Sequence, residues 1–138
     1  MPNQYFISRS AFKTLQRAAH AAGIHEICYV VFGSGSRVSQ LVRVPNRADE
    51  SLHHVIDADD VEKVRCCRSA RRYKLLGLLH THPLSDALPG EGDIRGYSVG
   101  SLVFIYSDDS KKLRAFRMTG KGVGYIERPV HIVKATGE

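Results

Sequence analysis

The sequence predicts an α/β or α+β sandwich built around one β-sheet. Two stretches carry apolar residues at helical spacing, and short β-branched or aromatic runs lie between and after them. Tight turns join neighbouring runs, so the strands pair mainly antiparallel, and helices covering such a sheet complete its core. A length of 138 residues with no internal repeat suits a single domain over 1–138.

In the first helical stretch, Phe12, Leu15, Ala18, Ala19 and Ala22 recur every three or four residues. Ser8 or Ser10 can cap its start, and Gly23 stands where helices commonly stop. Ile24–Gly33 reads as a buried strand, closed by Ser34-Gly35-Ser36, and 38–44 as its antiparallel partner, stopped by Pro45-Asn46. A polar loop follows to His54. Asp57 can cap a second helix reaching about Tyr73, with Asp59, Asp60 and Glu62 early and the arginines late, as the helix dipole favours. Its apolar side is Val61, Val64 and Ala70, with Cys67 beside them.

Leu75–His82 is the next strand, followed by a loop over 83–96 rich in proline and glycine. Leu102–Tyr106 is strongly apolar, and 112–118 alternates polar and apolar, with a hairpin turn at Asp108-Asp109-Ser110. One more strand, interrupted by Pro129, is expected over 123–133. Gly120-Lys121-Gly122-Val123-Gly124 lacks the strand-then-helix context of a phosphate loop and reads as a turn.

Composition narrows the function. No apolar run is long enough for a membrane span, and the start lacks a secretory pattern. Three cysteines, with Cys66 and Cys67 adjacent, argue against a disulfide scaffold or a joint metal site and fit a cytoplasmic protein. The net charge of +6 raises the question of nucleic acid. The excess concentrates in Arg65, Arg68, Arg71, Arg72 and Lys74, read as a solvated helix face ahead of a patch for an acidic partner. No aromatic residues interleave with them, so no nucleic acid is expected.

The chemistry concentrates in His80-Thr81-His82-Pro83, with Asp93 beyond the loop. Side chains at i and i+2 of a strand share a face, so His80 and His82 can aim two imidazoles at one point. Two imidazoles and a carboxylate leave a tetrahedral zinc its fourth position for water, the pattern of a catalytic rather than a structural site. Taken alone, His80 and His82 would pass for ordinary strand histidines and Asp93 for a helix cap. The apolar strand, Pro83 and the Pro/Gly loop together favour ligands.

Zinc hydrolysis also needs a carboxylate to carry a proton from water to the leaving amine. Asp86, Glu91 and Glu26 are available. Glu26 is preferred, because an acid at the start of a buried strand requires a partner or a function. Cys28 reads as a buried small residue, and His53-His54 as loop histidines with at most a substrate-side contact. His20, His25 and His131 receive no role.

His80-Thr81-His82-Pro83, Pro89 and Asp93 resemble the JAMM (MPN+ or JAB) metalloprotease signature. Glu26-Ile27-Cys28-Tyr29-Val30-Val31-Phe32-Gly33 resembles that family's E-x-C-G-x-x-x-G strand. The resemblance covers about residues 5–118. It implies a cytidine-deaminase-like three-layer sandwich, with a mixed β-sheet flanked by helices, in a compact prokaryotic-type member. It also implies Zn2+ on His80, His82 and Asp93, Glu26 as general acid/base, and cleavage beside a ubiquitin-like protein. The modifier's tail would lie extended along a strand edge beside the site.

Two positions depart from the family pattern. Tyr29 replaces a glycine. Gly90 replaces the serine or threonine whose hydroxyl stabilises the oxyanion, a donor typically worth a hundredfold or more in rate. The Gly90 N–H, a water or Ser85 are the possible substitutes. The alternatives to a deconjugating enzyme are a non-catalytic binding module and a protease that processes a sulphur-carrier protein. Partners expected of the enzyme are a ubiquitin-like protein or its conjugates, and E1-like and E2-like proteins of the same operon.

Overall fold

Ser8 ends one element and starts the next: β1 (Tyr5–Ser8) runs directly into α1 (Arg9–Ala21). The computed structural model describes residues 2–66, Cys67 by its backbone, and 73–134. Ser8 is the cap, its Oγ accepting the Ala11 N–H at 3.2 Å, and Ser10 lies inside the helix. The strand β1 escaped the sequence reading because four residues give too little alternation to register.

The remaining elements are β2 (Cys28–Ser34), β3 (Arg37–Val44), α2 (Ala58–Cys67), β4 (Lys74–His82), α3 (Glu91–Gly96), β5 (Leu102–Ser107), β6 (Lys112–Met118), β7 (Tyr125–Arg128) and β8 (Val130–Val133). Of the stretch expected to carry the second helix on to Tyr73, residues 68–72, with Arg68, Ala70, Arg71 and Arg72, lie outside the described residues, as does the Cys67 side chain, while Tyr73 itself lies in a bend. Two expectations need correction. The loop over 83–96 contains α3, a helix too short to show a periodic face. The last expected strand is two, and Pro129 sends the chain from β7 on β6 to β8 on β1.

Among the described residues, eight strands form one mixed sheet, in the order β7-β6-β5-β4-β2-β3-β1-β8. The pairs β4/β5, β1/β3 and β1/β8 are parallel, and the others are antiparallel, including the foreseen β2/β3 and β5/β6 hairpins. One residue joins the two edge strands, so the sheet curls until its edges meet. The Pro129 carbonyl accepts the Tyr5 N–H at 2.8 Å, and Arg117 of β6 donates to the Tyr5 hydroxyl at 2.9 Å.

The curled sheet wraps α1. Phe12, Leu15 and Ala19 pack on Tyr5, Ile7, Tyr29, Val31, Leu79, Phe104 and Tyr106. On the other face Val61 and Val64 of α2 cover Cys28, Val30, Phe32 and Val44. Helix, sheet and helix make the three layers that the resemblance implied. Both faces of the central strands are therefore dry, which is why β2, β4 and β5 read as continuous apolar runs.

The strand β4 carries an irregularity that matters for function. Val31 pairs with Gly77 but Phe32 with Leu75, so Leu76 is the extra residue of a bulge. Leu75 and Leu78 consequently face α2, whereas Leu76 and Leu79 face α1. His80 and His82 continue the Leu78 side. Gly77 permits the bulge, since a Cβ there would collide with the Leu102 carbonyl oxygen of β5. Among the described residues, no helix is long and apolar enough to cross a membrane.

Candidate metal centre

The bulged strand ends in the two histidines, which sit side by side at its C-terminal end. Their Nε2 atoms lie 3.2 Å apart. Asp93 closes the group, with Oδ1 3.2 Å from His80 Nε2 and Oδ2 3.5 Å from His82 Nε2. All three residues are buried, His80 completely. Zinc–nitrogen and zinc–oxygen bonds of about 2.0–2.1 Å put tetrahedral ligands roughly 3.3 Å from one another. One donor atom from each of the three residues lies within 4.8 Å of the others, a grouping compatible with a metal ion.

Each donor is held by a partner behind it. The His82 Nδ1–H donates to the Asp86 carbonyl at 2.8 Å, which turns Nε2 towards the cluster. Tyr97 OH lies 3.4 Å from His80 Nδ1 and holds that ring with Nε2 towards Asp93. Asp93 is the third residue of α3, and its Oδ2 accepts the Gly90 N–H at 2.9 Å. Asp93 is thus both a cap of a short helix and part of the donor cluster. Placing α3 in the loop is what carries its carboxylate back to the histidines.

Charge follows this arrangement. Burial pushes the His80 imidazole down to about 4, against the opposing pull of Asp93, so the ring is neutral near pH 7. Burial also disfavours charge on His82, but its bonds to Asp93 and the Asp86 carbonyl outweigh that and raise it. Asp93 resists its own burial, because hydrogen bonds from His80 and His82 hold its carboxyl well below the ordinary range.

Glu26 reaches the cluster by a different route from the one expected. β2 begins at Cys28, so Glu26 lies just before the strand rather than inside it. Thr81, between the two histidines and facing the other way, accepts the Ile27 N–H on Oγ1 at 3.0 Å. Its own N–H donates to the Ile27 carbonyl at 3.1 Å. These two bonds fasten the peptide after Glu26 to the strand of His80 and His82. Glu26 is buried, and its carboxylate, His54 and His80 form a second donor group sharing His80 with the first.

His54 is the residue that sequence reasoning missed. Its Nδ1 lies 3.1 Å from Glu26 Oε1, its Nε2 lies 2.9 Å from Tyr97 OH, and its ring stacks on His80 at 3.8 Å between centroids. Asn46 brings it there. Its Nδ2 donates to the carbonyls of Glu26 and His53, both at 2.9 Å, and its Oδ1 accepts the N–H groups of Ala48 and Val55, both at 3.0 Å. An asparagine directly after Pro45 was the available signal, and it read only as a strand stop.

The other acids take other partners. Glu91 is exposed and pairs with Arg95 at 3.1 Å, while Asp86 accepts the Ala87 N–H at 2.8 Å. The two oxyanion substitutes also separate. The Gly90 N–H is committed to Asp93, whereas Ser85 is exposed and lines the cleft. Cys28 is buried, and burial pushes its thiol up to about 12, so it carries no nucleophilic thiolate at neutral pH. Burial likewise pushes the Tyr97 hydroxyl up, with Asp93 adding to it, so Tyr97 stays protonated. His20 and His131 pair with Asp108 and Gln4.

A cleft of about 990 Å³ opens over the group, walled by Leu52, Val55 and Ile56 on one side and Pro83, Leu84 and Ser85 on another. Among the described residues, no unpaired strand edge of the kind expected flanks the two histidines. β4 is paired on both sides, by β2 and β5, and the sheet ends in β7 and β8. Segment 53–57, outside any helix or strand, walls the cleft instead, through His53, His54, Val55 and Ile56.

Comparison with known proteins agrees with this architecture. Solved structures with the same fold include protein DSY2949 from Desulfitobacterium hafniense, with a TM-score of 0.76, 19% identity, and coverage of 96% of this chain and 94% of that one. AF2198, a JAB1/MPN domain protein from Archaeoglobus fulgidus, gives a TM-score of 0.59 at 21% identity, covering 92% and 97%. The structure described as "JAMM: A Metalloprotease-like Zinc Site in the Proteasome and Signalosome" gives 0.56 at 20% identity, also covering 92% and 97%. No curated protein matches the chain. The family model for prokaryotic homologs of the JAB domain matches residues 8–119, which span β2 through β6 with the whole donor cluster. The chain therefore belongs to the family of prokaryotic homologs of the JAB domain.

Proposed function

We propose that this protein is a zinc-dependent isopeptidase or peptidase that cuts at the C-terminus of a ubiquitin-like protein, for deconjugation or precursor processing. One observation carries the reading. Three donors lie close enough together to share a metal ion, and Glu26 lines the same cleft as His82 and Asp93. A structural site would close its fourth position with protein, whereas here His82 and Asp93 line an open cleft.

A zinc ion on His80, His82 and Asp93 would supply a water of pKa about 7 and polarise the scissile carbonyl. Glu26 accepts the proton of the attacking water and delivers it to the leaving amine nitrogen. The modifier's tail lies along the cleft beside segment 53–57, where Val55 and Leu84 offer apolar contacts. E1-like and E2-like proteins encoded nearby would mark a conjugation system, and sulphur-transfer genes would mark processing of a sulphur carrier.

Gly90 favours a second reading. With no hydroxyl at that position and its N–H taken by Asp93, the site lacks one oxyanion donor that the family pattern expects. A non-catalytic binding module with a retained metal would look similar. The two readings separate on linear and isopeptide-linked ubiquitin-like fusions offered to the zinc-loaded protein. Cleavage abolished by Glu26→Ala and by His82→Ala supports the enzyme, and cleavage surviving either substitution overturns it.

A further inference from the structure

We infer that His54 and Tyr97 position Glu26 and link it to the metal ligand His80 through one directed chain of hydrogen bonds. This rests on the reading that His80 holds a metal and Glu26 is the base. A carboxylate oxygen only accepts, so the His54 Nδ1, 3.1 Å from Glu26 Oε1, carries the proton. The other ring nitrogen, Nε2, lies 2.9 Å from the Tyr97 hydroxyl, which donates to it in this chain. The Tyr97 oxygen is left to accept, and His80 Nδ1 lies 3.4 Å from it.

The direction of every bond agrees with the requirement at the metal. A histidine that offers Nε2 to a metal carries its proton on Nδ1, and that proton points to Tyr97. With His80 donating to the Tyr97 oxygen, the Tyr97 hydroxyl proton is available to His54 Nε2, which suits a His54 that donates to Glu26 through Nδ1. The parallel rings of His54 and His80, 14° apart, keep the chain in register. Asn46 holds its first link, since it donates to the backbone carbonyls of Glu26 and of His53, the residue before His54. His54 is a positioning residue here and leaves the metal position to His80, His82 and Asp93.

If His54 served only to pack on His80, an apolar side chain would replace it. The test compares His54→Leu with His54→Asn, whose amide can still donate towards Glu26. In zinc-loaded enzyme, His54→Leu should lower kcat by about ten- to a hundredfold, the usual scale for partners behind a metal site. KM should change little, zinc content should stay that of the wild type, and His54→Asn should recover much of the loss. An independent readout is the long-range proton–nitrogen correlation spectrum of the zinc-loaded wild type, which should show His54 protonated at Nδ1. His54→Asn no better than His54→Leu, loss of zinc in either, or protonation at Nε2 overturns the inference. If the wild type cleaves no fusion, the hydrolase reading fails while the spectrum still decides the chain.

Discussion

Gly90 concentrates the chemistry at the scale of one residue. It starts α3 with an ordinary backbone, and a Cβ there would meet only Asp93 Oδ2, at 3.8 Å. A serine fits without strain and is a better N-cap than glycine by a few tenths of a kcal/mol. Its hydroxyl would stand beside the donor cluster, so Gly90→Ser should raise kcat at least about tenfold, part of what one oxyanion donor contributes. Steady-state rates on one fusion substrate check this. An unchanged rate in an active wild type would mean that another donor, such as Ser85, already serves.

The contrast between Glu26 and His54 explains what was legible at this scale. Glu26 stood out because an acid beside Ile27, Cys28 and Val30 violates the pattern around it. His54 violated nothing, lying beside another histidine in a polar loop. Its role arises only when Asn46 folds that loop against Glu26, a contact across 28 residues that no local pattern encodes.

At the scale of elements, β4 is decisive, and its bulge sets which way both histidines point. Gly77→Ala forces a methyl into the Leu102 carbonyl. The substitution should cost about 1–3 kcal/mol of stability, as overpacking commonly does. It should also weaken metal binding, because relieving the clash shifts the strand that ends in His80 and His82. Denaturant unfolding and zinc titration of the same variant check both halves. Full stability with wild-type zinc affinity would mean that the bulge does not set the site. The strand itself was plain in the sequence, but its bulge was not, because two buried faces hide a change of side. α3 was hidden for another reason: six residues give no periodic face, and Asp93 joins the site through that helix.

For the whole molecule, closure of the sheet was the least legible feature. The parallel contacts of β1 and β8 join the two ends of the chain, and nothing local announces a partner more than a hundred residues away. The layers and the central strands were legible, since their apolar runs and helix spacing follow directly from burial. The global fold in turn sets the pH response of the metal-free protein. His80 is held at about 4 when folded and returns to about 6.5 when unfolded, so the unfolded chain binds the extra proton. Its contribution is complete above pH 6.5 and is lost as pH falls towards 4. His82, shifted the opposite way, acts above that window. The metal-free protein should therefore lose Tm between pH 6.5 and 4.5, and His80→Gln should lose less; equal losses would contradict this origin.

Zinc content and cleavage, measured on the same samples of wild type, Glu26→Ala and His82→Ala, test the central claim most directly. The expected result is stoichiometric zinc and cleavage in the wild type, zinc without cleavage in Glu26→Ala, and neither in His82→Ala. Cleavage by Glu26→Ala, or full zinc in His82→Ala, would contradict it.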